Sequence, residues 1–85
     1  MSAPIRIVLA DDAILLREAL ASALAAAGFA VVGQAGDVDG LLELVARHRP
    51  DVAIVDVRMP PTHTTEGLEA AERIRRRHPG VAILV

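Results

Sequence analysis

Ile5-Arg-Ile-Val-Leu-Ala-Asp-Asp12 and, roughly forty residues later, Asp51-Val-Ala-Ile-Val-Asp56 decide how this chain folds. Each is a short apolar run that ends in acid. The first lacks polar alternation and is rich in branched aliphatic residues, the pattern of a strand buried on both faces of a parallel sheet. In an open α/β sheet, ligands bind outside the carboxyl ends of the strands. If the two runs are neighbouring parallel strands, Asp11, Asp12 and Asp56 converge there. Two unit charges about 4 Å apart at an effective dielectric near 20 repel by ~4 kcal/mol, so such a cluster needs a proton or a cation. A hard divalent ion with oxygen ligands, Mg²⁺ above all, meets that need.

Outward from these runs, strand and helix patterns alternate along the chain. After the strand at 5–10, Asp12 is placed to cap a helix over about 13–27, with Leu16, Leu20, Ala23, Leu24 and Ala27 at helical spacing and Gly28 just past its end. Phe29 to Val32 reads as a second strand closed by Gly33. Asp37 or Asp39 caps a second helix running to about His48, with Leu41, Leu42, Val45 and Ala46 apolar and Pro50 stopping it. The third strand is 51–56, and residues 59–65 form a loop that includes Pro61 and Thr62. Thr65 or Glu66 starts a third helix with Leu68, Ala71 and Ile74 inward, ending at His78-Pro79-Gly80, and 81–85 is a fourth strand. This βαβαβαβ pattern predicts a parallel sheet with helices on its faces. The flavodoxin-like, doubly wound order beginning 2-1-3-4 places the first and third strands side by side, with Asp56 beside Asp11 and Asp12.

Composition narrows the function classes. Eighty-five residues make one small domain, with Phe29 the only aromatic, so the core is aliphatic. A formal net charge of −2 and a single basic run, Arg75-Arg76-Arg77, argue against a nucleic-acid face; that run reads as a solvated helix end. The absence of Cys excludes disulfides and thiolate metal sites. No signal peptide precedes the first strand and no apolar run is long enough for a bilayer, so the expected compartment is the cytoplasm and no membrane is involved. Gly33-Gln-Ala-Gly36 lacks the dinucleotide fingerprint, no Walker A motif occurs, and no nucleophile-elbow triad appears. Taken singly, Asp11 and Asp12 read as helix caps and Asp56 as a strand-end turn residue. Met59 reads as a core filler, His63 as a solvated loop histidine, and His48 and His78 as helix-end residues.

Asp11-Asp12 after the first strand, Asp56 after the third, then Val57-Arg58-Met59-Pro60, closely resembles the receiver domain of two-component response regulators. The stretch Pro60-Pro-Thr-His-Thr-Thr-Glu-Gly-Leu-Glu-Ala70 is similar to the subgroup whose output is a LuxR/NarL-type helix-turn-helix. The resemblance implies that Asp56 is the phosphoacceptor for a phosphohistidine on a sensor histidine kinase. It implies that Asp12 binds Mg²⁺ directly and Asp11 directly or through water, with Asp56 and the backbone carbonyl of Arg58 completing the set. Arg58, two residues after Asp56, stands where family members vary and would tune dephosphorylation. Such a protein accepts phosphate rather than turning over a substrate, so it is not an enzyme in the usual sense. DNA would be reached only through an output domain outside this chain.

The resemblance also implies a fifth strand and two further helices, with a Ser or Thr after the fourth strand and a Lys ending the fifth. Residues 1–85 are therefore expected to be a partial receiver, with four strands and three helices, and no Lys occurs among them. An apolar strand at an exposed edge invites self-association or domain swapping. A receiver of this kind that acts through such contacts, without phosphorylation, is the alternative reading.

Overall fold

A computed structural model describes residues 3–60 and 63–85; Pro61 and Thr62, read above as loop residues, lie outside the described residues. The apolar runs form strands β1 (Arg6–Ala10), β2 (Ala30–Ala35), β3 (Val52–Val55) and β4 (Ala82–Leu84). Helices α1 (Ile14–Ala26), α2 (Val38–His48) and α3 (Glu66–Arg77) alternate with them. The sheet is parallel in the order β2-β1-β3-β4, as the sequence pattern predicts.

Alternate side chains of a strand point to opposite faces, and β1 divides the core accordingly. Val8 and Ala10 join Leu41 and Val45 of α2, Ala70 and Ile74 of α3, and Met59 on one face. Ile7 and Leu9 join Ala21 of α1 on the other, with Leu24, Phe29, Val31, Val52 and Ile54 packed against them. Ile7, Val8, Leu9 and Ala10 are all buried, as expected for a central parallel strand.

Local signals set most of the helix ends. The N–H of Phe29 donates to Leu24 O at 3.0 Å and that of Gly28 to Ala25 O at 3.1 Å, closing α1 in a Schellman motif with Gly28 at φ 98°. Of the two candidate caps of α2, Asp37 is the one used: its carboxylate accepts from the Gly40 N–H at 2.7 Å. The other end of α2 turns through Arg49 at φ 43°, and the Arg6 guanidinium donates to the part-buried His48 carbonyl at 2.7 Å.

Two expectations about element ends need correction. Asp12 does not cap α1; Ala13 holds the cap position without a side-chain bond, and Asp11 Oδ1 accepts the Ala13 N–H at 2.9 Å. β2 does not stop at Gly33 but runs on to Ala35. Gly33 makes no turn: a Cβ there would lie 2.9 Å from Leu44 Cδ2, so the glycine admits α2 close to the sheet. Ile7 faces Val31 and Val8 faces Gly33, so Val32 is one residue extra and the strand is bulged at that point.

The inward faces of α1 and α3 also differ. In α1, Ala21 is buried and Leu24 partly so, whereas Leu16 is 60% exposed, and Ala23 and Ala27 are exposed too. This helix is apolar almost all round, so periodicity alone does not say which stripe meets the sheet. In α3 the buried line is Gly67, Ala70, Ala71 and Ile74, and Leu68 is 44% exposed. In α2, Leu41 and Val45 are buried but Ala46 is exposed.

These burials set an expected contrast. Leu41→Ala, at a fully buried site, destabilises the chain by about 2–5 kcal/mol through lost transfer energy and a cavity. Leu15→Ala, at a site 84% exposed, changes stability by no more than about 0.5 kcal/mol. Urea unfolding of both variants at constant m-value checks the pair.

Candidate functional site

The register Ala10↔Val55 brings β1 and β3 to the same edge of the sheet, and the backbone beyond them keeps strand-like bonds. The Asp56 N–H donates to Ala10 O at 2.9 Å and the Asp11 N–H to Ala35 O at 3.0 Å. Asp11 and Asp56 are therefore placed by the sheet rather than by a loop. Asp11, Asp12 and Asp56 each offer a carboxylate oxygen within 4.8 Å of the other two. Asp11 and Asp56 are half-buried, and Asp12 is exposed.

Each carboxylate has a different partner. Asp11 Oδ1 takes the Ala13 N–H, Asp56 Oδ1 takes the Arg58 N–H at 3.2 Å, and Asp12 Oδ2 lies 2.8 Å from His63 Nε2. Arg17, on the first turn of α1, donates from its guanidinium to the Asp11 carbonyl at 2.9 Å and to Gln34 Oε1 at 3.1 Å, bracing the same loop. Met59 is fully buried and anchors the stretch after Asp56 in the core.

Gly67 lets α3 sit directly against this stretch. Its N–H donates to Val57 O at 2.9 Å, and a Cβ at this position would fall 1.9 Å from Asp56 O and 2.7 Å from Val57 Cα. Neither Gly67 nor Arg17 was singled out from sequence. An isolated glycine in the first turn of a helix pattern was the available signal for one, and a lone arginine on an apolar helix for the other. His63 is half exposed, as a loop histidine should be, yet it touches Asp12 across a separation of fifty-one residues. Of the other histidines, His48 lies in the last turn of α2 and His78 at the C-cap of α3, as the sequence implied.

The donor set is three hard carboxylate oxygens. An octahedral Mg²⁺ site with metal–oxygen distances near 2.1 Å spaces its ligands by about 3 to 4 Å. Oxygens already within 4.8 Å reach that spacing by small side-chain rotations, so these residues fit a hard divalent cation. Among the described residues no helix is long and apolar enough to cross a membrane.

The family model for the response regulator receiver domain matches residues 7–85. The chain is 41% identical over 71 residues to the transcriptional regulatory protein PdtaR of Mycobacterium tuberculosis, covering 84% of this chain and 33% of that protein. It is 36% identical over 85 residues to a protein-glutamate methylesterase/protein-glutamine glutaminase of Haloarcula marismortui, covering 100% of this chain and 22% of that protein. The solved signal receiver domain of NarL from Mycobacterium tuberculosis superposes with a TM-score of 0.85 at 35% identity, covering 96% of this chain and 64% of that one. The chain thus spans a third or less of the length of these two curated relatives.

The tight seat of α3 has a measurable consequence. Gly67→Ala forces the helix off Asp56 and Val57, at a cost of about 1–3 kcal/mol or more that exceeds the helix-propensity gain of about 1 kcal/mol. Gly80→Ala, where a Cβ meets nothing within 4 Å, changes stability by less than about 0.5 kcal/mol. Thermal unfolding of the two variants gives the comparison.

Proposed function

The chain belongs to the response regulator receiver domain family of two-component signalling, and on that premise we propose that Asp56 is its phosphoacceptor and that Asp11, Asp12 and Asp56 hold the Mg²⁺ the transfer requires. The observation that carries this reading is the convergence of the three carboxylates at the carboxyl ends of β1 and β3. The phosphodonor is a phosphohistidine of a sensor histidine kinase. The phosphoryl state of Asp56 governs an output module, and the likeness to PdtaR and NarL favours transcriptional control as that output.

The chain's residues divide the work. An Asp56 carboxylate oxygen attacks phosphorus; the new O–P bond forms as the donor's N–P bond breaks. The electron pair goes to the leaving imidazole nitrogen, which then takes up a proton. The Arg58 N–H orients the acceptor through Oδ1, and the bond from Asp56 N–H to Ala10 O holds its backbone. Such transfer is mostly positioning and charge neutralisation. Asp11 and Asp12, with Asp56 and the Arg58 carbonyl, supply oxygen ligands, and bound Mg²⁺ offsets the negative charge that would otherwise repel the incoming phosphoryl group. A carboxylate nucleophile splits the overall transfer to water into two steps. The Arg58 side chain, exposed and two residues after Asp56, affects how quickly water removes the phosphoryl group. The protein is then a stoichiometric acceptor with slow self-dephosphorylation.

Incubation with Mg²⁺ and acetyl phosphate is expected to add one phosphoryl group, seen by intact mass, to the native chain and none to Asp56→Asn. Asp12→Asn is expected to slow the reaction at least about tenfold, on the scale of losing a group that stabilises transition-state charge. Phosphorylation that persists in Asp56→Asn, or none in the native chain, overturns this assignment.

A further inference from the structure

Among the described residues, His63 is the one side chain outside the acidic cluster that hydrogen-bonds a carboxylate within it. Asp12 has the greatest need of such a partner. Asp11 and Asp56 each receive a backbone N–H on the carboxylate and are half-buried, whereas Asp12 is exposed and faces two like charges. Repulsion swings an exposed carboxylate away from its neighbours unless something holds it.

His63 is placed to hold it. Its N–H donates to Met59 O at 2.9 Å, its backbone sits at φ 58°, and Met59 is fully buried. The backbone that carries the imidazole is thus bonded to a residue rooted in the core. An ionised carboxylate only accepts, so Nε2 carries the hydrogen and donates to Asp12 Oδ2 at 2.8 Å. The ligand atoms lying within 4.8 Å of one another belong to Asp11, Asp12 and Asp56 and do not include the His63 ring. The ring therefore reaches Asp12 from the outer side of the cluster.

We propose that His63 is a positioning residue for the divalent-cation site: its Nε2–H holds the Asp12 carboxylate beside Asp11 and Asp56, so that the cation meets three oxygens already in place. This rests on the reading that the cluster takes a divalent cation. It also ties His63, bonded through its backbone N–H to Met59 O, to the occupancy of the site. Removing a group that orients a metal ligand ordinarily costs about 10–100-fold in metal affinity.

The test is binding of Mn²⁺ alone, as a hard spectroscopic substitute for Mg²⁺, to the full chain, read by electron paramagnetic resonance with Mg²⁺ competition. His63→Ala is expected to bind at least about tenfold more weakly. His63→Gln, whose amide N–H reaches the same oxygen, is expected to recover most of that loss, and thermal midpoints without metal are expected to agree across the three proteins. Unchanged or tighter binding by His63→Ala overturns the proposal. So does nitrogen hyperfine coupling from an imidazole bound directly to Mn²⁺. Binding by the native chain that is insensitive to Asp12→Asn and Asp56→Asn fails the cation site itself, and the proposal with it. Affinity that depends on Asp12 and Asp56 but not on His63 fails the proposal alone.

Discussion

The parallel pairing of β1 with β3 is the constraint on which the rest of this structure depends. Its register levels Ala10 with Val55, so the two acidic ends leave the sheet together. A slip of one residue would turn the alternate side chains of β1 to the wrong faces. Val8 and Ala10 would leave the cluster they share with α2 and α3, and Ile7 and Leu9 the one they share with α1. Burial of apolar surface thus enforces the register, and the register places the carboxylates. The same hydrophobic energy that stabilises the core offsets the repulsion of three acids held within 4.8 Å.

Around that edge, precision comes from two kinds of contact. Backbone hydrogen bonds carry the sheet's geometry one residue past the strands, to Asp11 and Asp56. Close packing does the rest: the missing side chain at Gly67 seats α3 on the Asp56–Val57 backbone, and buried Met59 accepts the His63 N–H. A helix resting on the Asp56 backbone cannot shift without disturbing it.

Much of this was legible in the sequence because the signals were local. The alternation of strand and helix, the aliphatic core, the Schellman end at Gly28, the stop at Pro50 and the burial of Met59 each follow from a few adjacent residues. The strand order followed from the flavodoxin-like, doubly wound pattern, and the acidic site from the chemistry of strand ends. The misreadings concern how elements dock. Leu16, Leu68 and Ala46 are apolar and correctly spaced, but spacing defines a stripe and not the angle at which it docks. Gly33 looked like a turn because glycine often is one, whereas here it makes room for Leu44.

By itself, then, the sequence determined the element order, the residue types available at the sheet's carboxyl edge and the family to which the chain belongs, since all of these are written in local periodicity and short motifs. Only the tertiary structure decided which oxygens approach one another, that Asp11 and not Asp12 bonds the start of α1, that Gly67 lies on Asp56 and that His63 meets Asp12. Those are contacts between distant parts of the chain. They exist because packing the two hydrophobic clusters brings the loops together, and no neighbouring residue announces them.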